Sequence, residues 1–274
     1  MINSATAYKP TFMQTLLGRH YKWWYVYIHT FKSNTINRLS LIGYFVSSLL
    51  FLASSLLVWS VSKNPDFTFS YILTYFIIGQ VFMIEGELFY DVAGDISHGK
   101  ISAKLLMPTN LFVRFIVHDL GWLTFTRFII QPLIYIPLII ITNQLFIFPS
   151  LLNGFIFIAM SIISYLIYAF SSLLLGSIAF WAPDVWGIID LSRTIKDFSS
   201  GRYFPLNISS ITKFLYFTPF AFMFYHPMQI YLGKYDFNQT LMVFAGGVAW
   251  CFALYFLAKW VFKMGLKRNE AVGL

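Results

Sequence analysis

Apolar residues run along this chain in long unbroken blocks rather than alternating at the period of a strand or a surface helix. A helix needs about 20 mostly apolar residues to cross a bilayer. The charge-free block 39–62 meets that and predicts a first span. The polar turn Lys63-Asn64-Pro65-Asp66 follows, and a second span over 67–90 runs into Glu85, Glu87, Asp91 and Asp95 at its far end. No charge occurs in 128–183, which is too long for one helix; Asn143-Gln144 and Pro149 divide it into spans over 115–142 and 150–181. The last clean block predicts a span over 237–262, followed by a basic tail.

The region 184–236 admits two readings. Asp184, Asp190, Arg193, Lys196, Asp197 and Arg202 punctuate an otherwise helical stretch, and the charge-free 214–233 carries Pro219 and Pro227. Prolines remove a helical hydrogen bond and clash with the preceding turn, so two of them eight residues apart do not fit one straight span. The preferred reading places a fifth span at 185–206 and a pair of short broken helices, dipping into the outer leaflet, at 214–233. The other makes 184–212 a cytoplasmic loop and 214–233 the fifth span. Both give six spans. No internal repeat is visible, and no extramembrane stretch is long enough for a second domain. The organisation expected is therefore an interface segment over 1–38 and one transmembrane domain over 39–274.

In the leading segment Met13, Leu16, Leu17, Trp24, Ile28 and Phe31 recur at helical spacing, offset from Arg19, Lys22 and Lys32. Tyr21, Trp23, Trp24, Tyr25 and Tyr27 crowd its middle. Aromatic rings favour the headgroup level and basic amphipathic helices lie in the interface plane, so an amphipathic helix on the membrane surface is expected.

Composition agrees. The chain of 274 residues is 58% hydrophobic, 20% aromatic and only 11% charged, too few charges to cover a soluble globule. Its net charge of +8 is concentrated at the two ends. Five cations and no acid precede residue 41, four cations and one acid follow residue 258, and the ten cations and ten acids between them cancel. That is the positive-inside pattern, with both ends cytoplasmic. No nucleic-acid motif accompanies the basic balance, and the first forty residues lack the small-residue cleavage site of a signal peptide. The single Cys251 excludes an internal disulfide and a multi-cysteine metal site.

Candidate chemistry is sparse. Gly94-Asp-Ile-Ser-His-Gly99-Lys100 fits the first seven positions of a phosphate-binding loop, but Ile101 stands where a Mg²⁺-binding hydroxyl is required, and no strand precedes it. A polar turn opening a short helix accounts for it better. Glu87, Asp91 and Asp95 share a helical face, yet no His or Cys lies at a useful spacing for a metal site, and no catalytic triad or HExxH pair appears. An enzyme is poorly supported. On a helix Asp190 and Arg193, and Arg193 and Asp197, are spaced to pair. If that segment spans, its charges face an aqueous cavity or the bundle interior, because exposure to lipid costs each about 2.5–3.5 kcal/mol. If it is a loop, they are simply hydrated.

Three stretches carry a resemblance to a known family: Gly94-Asp95-Ile96-x-x-Gly99-Lys100 with Leu105-Leu106-x-Pro108; Thr218-Pro219-Phe220-Ala221-Phe222 with Tyr225-x-Pro227 and Leu232-Gly233; and the tail from Gly265 to Gly273. In order and position the chain resembles the permease subunits of ABC-2 type exporters, in the bacterial six-span branch. The family tail more often carries an aromatic where Asn269 stands, and 184–202 is more charged than is usual.

The resemblance implies an all-α integral membrane protein of six transmembrane helices. It adds an N-terminal amphipathic interface helix, a cytoplasmic coupling helix between spans two and three, and a broken re-entrant hairpin before span six. Gly94, Asp95, Gly99, Lys100, Leu105 and Pro108 would form the ATPase-coupling helix, and Pro219, Tyr225 and Pro227 the hairpin. Asp190, Arg193, Lys196 and Asp197 are the candidate substrate path. The partners implied are a cytoplasmic ABC ATPase subunit, which would bind the ATP and Mg²⁺ since this chain is expected to hold no cofactor, and a second permease, identical or different, in the bacterial inner membrane. Two competing classes are an ion-coupled or energy-independent carrier using the charges of 184–202, and a membrane-embedded lipid enzyme with an acidic site at 85–95.

Overall fold

A backbone in hydrocarbon has to satisfy its own hydrogen bonds, and every regular element in the described residues is helical. The computed structural model describes residues 18–36, 38–61, 67–82, 86–107, 109–182, 184–208 and 211–268. Met13, Leu16, Leu17, the turn 63–66, Glu85, Pro108 and the tail from Asn269 onward lie outside these residues.

In chain order the α-helices are α1 (Tyr21–Ile36), α2 (Arg38–Ser60), α3 (Phe69–Phe82), α4 (Leu88–Ser97), α5 (Lys100–Leu105) and α6 (Leu111–Phe125). They continue with α7 (Gln131–Ile141), α8 (Leu151–Gly176), α9 (Trp186–Ser200), α10 (Tyr225–Tyr231) and α11 (Phe237–Leu266). The starts are written locally. Asn110 caps α6, its side chain accepting from the Phe112 amide at 3.0 Å and the Val113 amide at 3.3 Å. Ser150 caps α8 by accepting from the Asn153 amide at 3.2 Å. Asp236 and Gln239 close a reciprocal capping box at the start of α11.

Among the described residues four helical stretches are long and apolar enough to cross a membrane: Leu41–Ser60, Leu111–Ile141, Leu151–Phe180 and Phe237–Leu266. The expected spans at 67–90 and 185–206 come out differently. The first is broken: α3 has 14 residues, and the chain is non-helical at Gly86 and Glu87 before α4 begins. The second is a helix of 15 residues that stops at Gly201. At 1.5 Å per residue each is about 21–23 Å long, short of a hydrocarbon core of about 30 Å.

Leu111–Ile141 is continuous only through a π-helical segment, Thr126–Ile130. Pro132 lacks the amide that would bond to the Phe128 carbonyl, and the ladder widens just before it.

α8 forms the centre, with 61% of its apolar window buried, whereas α2 lies outermost at 11%. α8 packs along α11, whose Gly247 permits the approach: a Cβ there would sit 3.0 Å from both Ile163 and Met160. α2 is attached by a few polar contacts. Gln131 Nε2 donates to Ser48 Oγ at 2.9 Å, and Tyr135 Oη donates to the Ser48 carbonyl at 3.1 Å. Trp59 Nε1 donates to the Tyr203 carbonyl at 3.2 Å. α1 lies on α6, where a Cβ on Gly121 would come within 2.7 Å of the Tyr27 carbonyl.

Candidate functional site

Three regions of the fold bear on function. The first is the elbow made by α4 and α5. Gly94, the first glycine of the loop-like motif, is inside α4 rather than in a phosphate-cradling loop. Gly99 makes the bend, with φ of 70° in the left-handed region that favours glycine. Asp95 faces inward, 9% exposed, and forms an ion pair with Lys104 across the bend, while Lys104 lies 5.1 Å over the Phe115 ring. Asp95 therefore ties the elbow together rather than standing on its outer surface. Lys100 is exposed, as are Leu105 at 45%, Leu106 at 88% and Met107 at 43%. Asp91, one turn before Asp95, pairs with His118 at 2.9 Å.

The second region is the segment 211–233, which forms two 3₁₀ stretches, Ile211–Phe217 and Ala221–Met223, before α10. Pro219 sits in the turn between them, and Pro227 is the third residue of α10, where a missing amide costs no intrahelical bond. α10 is buried throughout and packs on α8 and α3. Tyr225 Oη donates to Tyr216 Oη at 3.0 Å, and Gln229 Nε2 donates to Tyr71 Oη at 3.0 Å. A neutral His226 imidazole satisfies both its neighbours. Its Nε2–H donates to the Tyr216 carbonyl at 2.9 Å, and its Nδ1 accepts from Tyr235 Oη at 2.8 Å.

The third region is a cavity of about 300 Å³ bounded by α2, the end of α3, the break before α4, the π segment and α9. Arg127, Arg193, Arg202 and Glu87 line it beside Ser47, Gln80 and the rings of Tyr44, Phe51 and Trp122. How Arg202 gets there is local. Gly201, at φ 86°, closes α9. Its amide donates to the Phe198 carbonyl at 3.4 Å and the Arg202 amide to the Asp197 carbonyl at 3.3 Å. That pairing is the Schellman pattern. The turn folds the Arg202 guanidinium back onto Asp197 at 3.0 Å and over the Phe51 ring at 5.4 Å.

The four residues expected along a substrate path separate accordingly. Arg193 lines the cavity, and Lys196 joins it on a smaller adjoining pocket against Tyr168 and Ser171. Asp190 is exposed and accepts from Tyr90 Oη at 3.3 Å. Asp197 is buried and takes Arg202 and Tyr203 from beyond the helix end in addition to Lys196 at 3.8 Å.

Two further ionisable residues, Asp119 and Arg127, escape a reading by hydropathy because both lie within the block assigned to span three. An ionisable group inside a spanning helix is by itself a pointer to function. Asp119 is 1% exposed, accepts from Tyr165 Oη at 3.3 Å and faces the Leu88 amide, at the helix start that Glu87 leaves without a side-chain cap. Gly86 leaves the room: a Cβ there would overlap the Asp119 carboxylate, 2.6 Å from Cγ. Arg127 sits in the π segment and reaches across to the Gln80 carbonyl at 3.3 Å.

A helical membrane scaffold with an exposed apolar elbow and a buried, proline-containing segment narrows the possibilities, and comparison with known families decides among them. The sequence model of the ABC-2 family transporter proteins matches residues 33–273. The chain belongs to that family. It is a membrane permease, of a family of transport proteins. The match takes in the elbow, the cavity and the segment 211–233 together, so all three are parts of the permease fold. No curated protein and no solved structure matches the chain.

Proposed function

We propose that this permease forms, with a second permease chain, the export pathway of an ABC transporter powered by a separate cytoplasmic ATPase subunit. ATP and Mg²⁺ belong to that subunit, and this chain binds no cofactor of its own. The observation that carries the reading is the elbow: three consecutive large apolar side chains, Leu105, Leu106 and Met107, are turned outward on a turn stiffened by the Asp95–Lys104 pair. Exposed apolar clusters on a polar turn suit a protein groove, not water. ATP-driven closure of the partner would move the elbow as a rigid body, tilting α3 against α4 at the break near Gly86.

The basic ends support an orientation with both termini, the elbow and α1 on the cytoplasmic side of the inner membrane, among anionic headgroups. The second permease fits the outward faces of α2 and α9, where Leu191, Ile195 and Phe198 stand exposed in a stripe at helical spacing. The segment 211–233 would be the re-entrant hairpin near the outer exit, held by Pro219, Tyr225 and Pro227. Arg193 and Lys196 are the groups of the 190–197 set best placed to meet substrate.

Leu106→Asp and Lys100→Glu change only exposed positions, so the full chain should insert and fold normally while ATP hydrolysis by the partner no longer responds to it. The assay is ATPase activity with and without each variant in reconstituted membranes. Stimulation of wild-type size by both variants would overturn the proposal.

A further inference from the structure

We infer that the cavity lined by Arg127, Arg193 and Arg202 is a binding site for the phosphate headgroup of a transported amphiphile. This rests on the permease reading and adds a substrate class to it. Charge, geometry and wall chemistry all support it. Three guanidinium groups come from three separate elements, the π segment, α9 and the turn after it, and one carboxylate among the described residues, Glu87, shares the lining. The lining itself is cationic, three guanidinium groups to one carboxylate. Acids and cations alternate in the next layer, Asp197 on Arg202 and near Lys196, Asp190 on Tyr90, Asp119 behind Gly86 and Asp91 with His118 beside Glu87, so the arginines at the wall, not the net charge of the region, are what an anion would meet. A cationic wall focuses field on an anion.

Arginine is suited to oxyanions because its planar fork gives parallel donors. A carboxylate presents its oxygens in one plane, whereas a phosphate presents them in several directions, and arginines converging from three elements match the second. The arginines are held where they act: Arg202 by Asp197 at 3.0 Å and by the Phe51 ring, Arg127 by the Gln80 carbonyl at 3.3 Å. A π segment that carries a charged residue to a cavity is the kind of local irregularity found at functional sites. The site is reachable, since Glu87 and Arg193 are exposed, and its lining residues Gln131 and Ser48 are bonded to one another at 2.9 Å. Tyr44, Phe51 and Trp122 give one wall an apolar character that suits the first methylenes of a chain.

The test uses the full-length protein in nanodiscs of phosphatidylcholine, with radiolabelled decyl phosphate as probe and empty nanodiscs as background. Wild type should retain the probe above background, and Arg193→Gln should weaken retention about tenfold or more, the worth of a charge-assisted hydrogen bond. Arg127→Lys should keep more binding than Arg127→Gln. Glu87→Gln should tighten binding, a change of opposite sign that misfolding does not produce. Competition by inorganic phosphate separates the sources: competition only at tenfold or higher concentration assigns the site to a lipid-like phosphate, and equal potency assigns it to a soluble phosphate ester. No retention above background, or retention indifferent to both Arg193→Gln and Glu87→Gln, would overturn the inference. Association with an ATP-binding subunit, measured on the same preparation, fails or succeeds independently and reports on the permease reading alone.

Discussion

Replacing Gly86 by alanine probes the joint between α3 and α4, on which the proposed motion depends. The added methyl would overlap the Asp119 carboxylate, with Cγ 2.6 Å and Oδ2 2.8 Å away. Nonbonded heavy atoms rest at about 3.5 Å or more. Asp119 has little freedom to withdraw: it is buried and hydrogen-bonded to Tyr165 Oη at 3.3 Å. Overpacking of this kind costs about 1–3 kcal/mol, and displacing the carboxylate from its partner adds about 1 kcal/mol. A loss of roughly 2–4 kcal/mol should lower the apparent unfolding temperature of the purified full-length chain by roughly 5–12 °C. The decisive comparison is the double variant. Asp119→Ala destabilises on its own by leaving the Tyr165 hydroxyl without this partner, but it also removes the obstacle, so Gly86→Ala should add little on top of it. The two costs should fall short of additivity by about 1–3 kcal/mol. Strict additivity would refute the contact between Gly86 and Asp119 as the reason glycine stands there.

Tyr75→Phe removes the 2.7 Å hydrogen bond to the Gly201 carbonyl that secures the end of α9. It should cost about 1–2 kcal/mol in a thermal melt. Gly265→Ala would drive a methyl into the Phe180 ring, 2.6 Å from Cγ. It should destabilise by about 1–3 kcal/mol, relieved in part by Phe180→Leu. Asp95→Asn removes the ion pair with Lys104 from a largely buried position. It should loosen the elbow, seen as faster amide exchange over α5, whereas Leu106→Asp should leave exchange unchanged.

Length and hydropathy make four spanning helices legible in the sequence, and the prolines at 219 and 227 make the broken segment legible too. What they do not reveal comes from tertiary context. Glu85 and Glu87 mark the end of the apolar run, but not that the helix breaks at Gly86 and Glu87; that break is stabilised by Asp119, far along the chain on α6. α9 is shorter than its pattern suggests because Gly201 and Arg202 read as part of an apolar–polar mixture, when their geometry is a helix stop. Asp95 reads as a residue of a polar turn, and its partner Lys104 turns it inward. The cavity itself is half legible: Arg193 stands out by charge, whereas Arg127 is hidden inside an apolar block where its presence is the clearest signal available.

The central claim is that the elbow docks on a separate ATPase. Placing the only cysteine there, with Leu106→Cys in a Cys251→Ser chain, and crosslinking in native membranes tests it directly. The account predicts one dominant adduct with a protein that carries a nucleotide-binding domain, lost when the cysteine is moved to the outer wall of α2 at Leu57, which is 71% exposed. A Leu106→Cys chain that is readily labelled by a soluble maleimide yet forms no adduct with an ATP-binding subunit would contradict it.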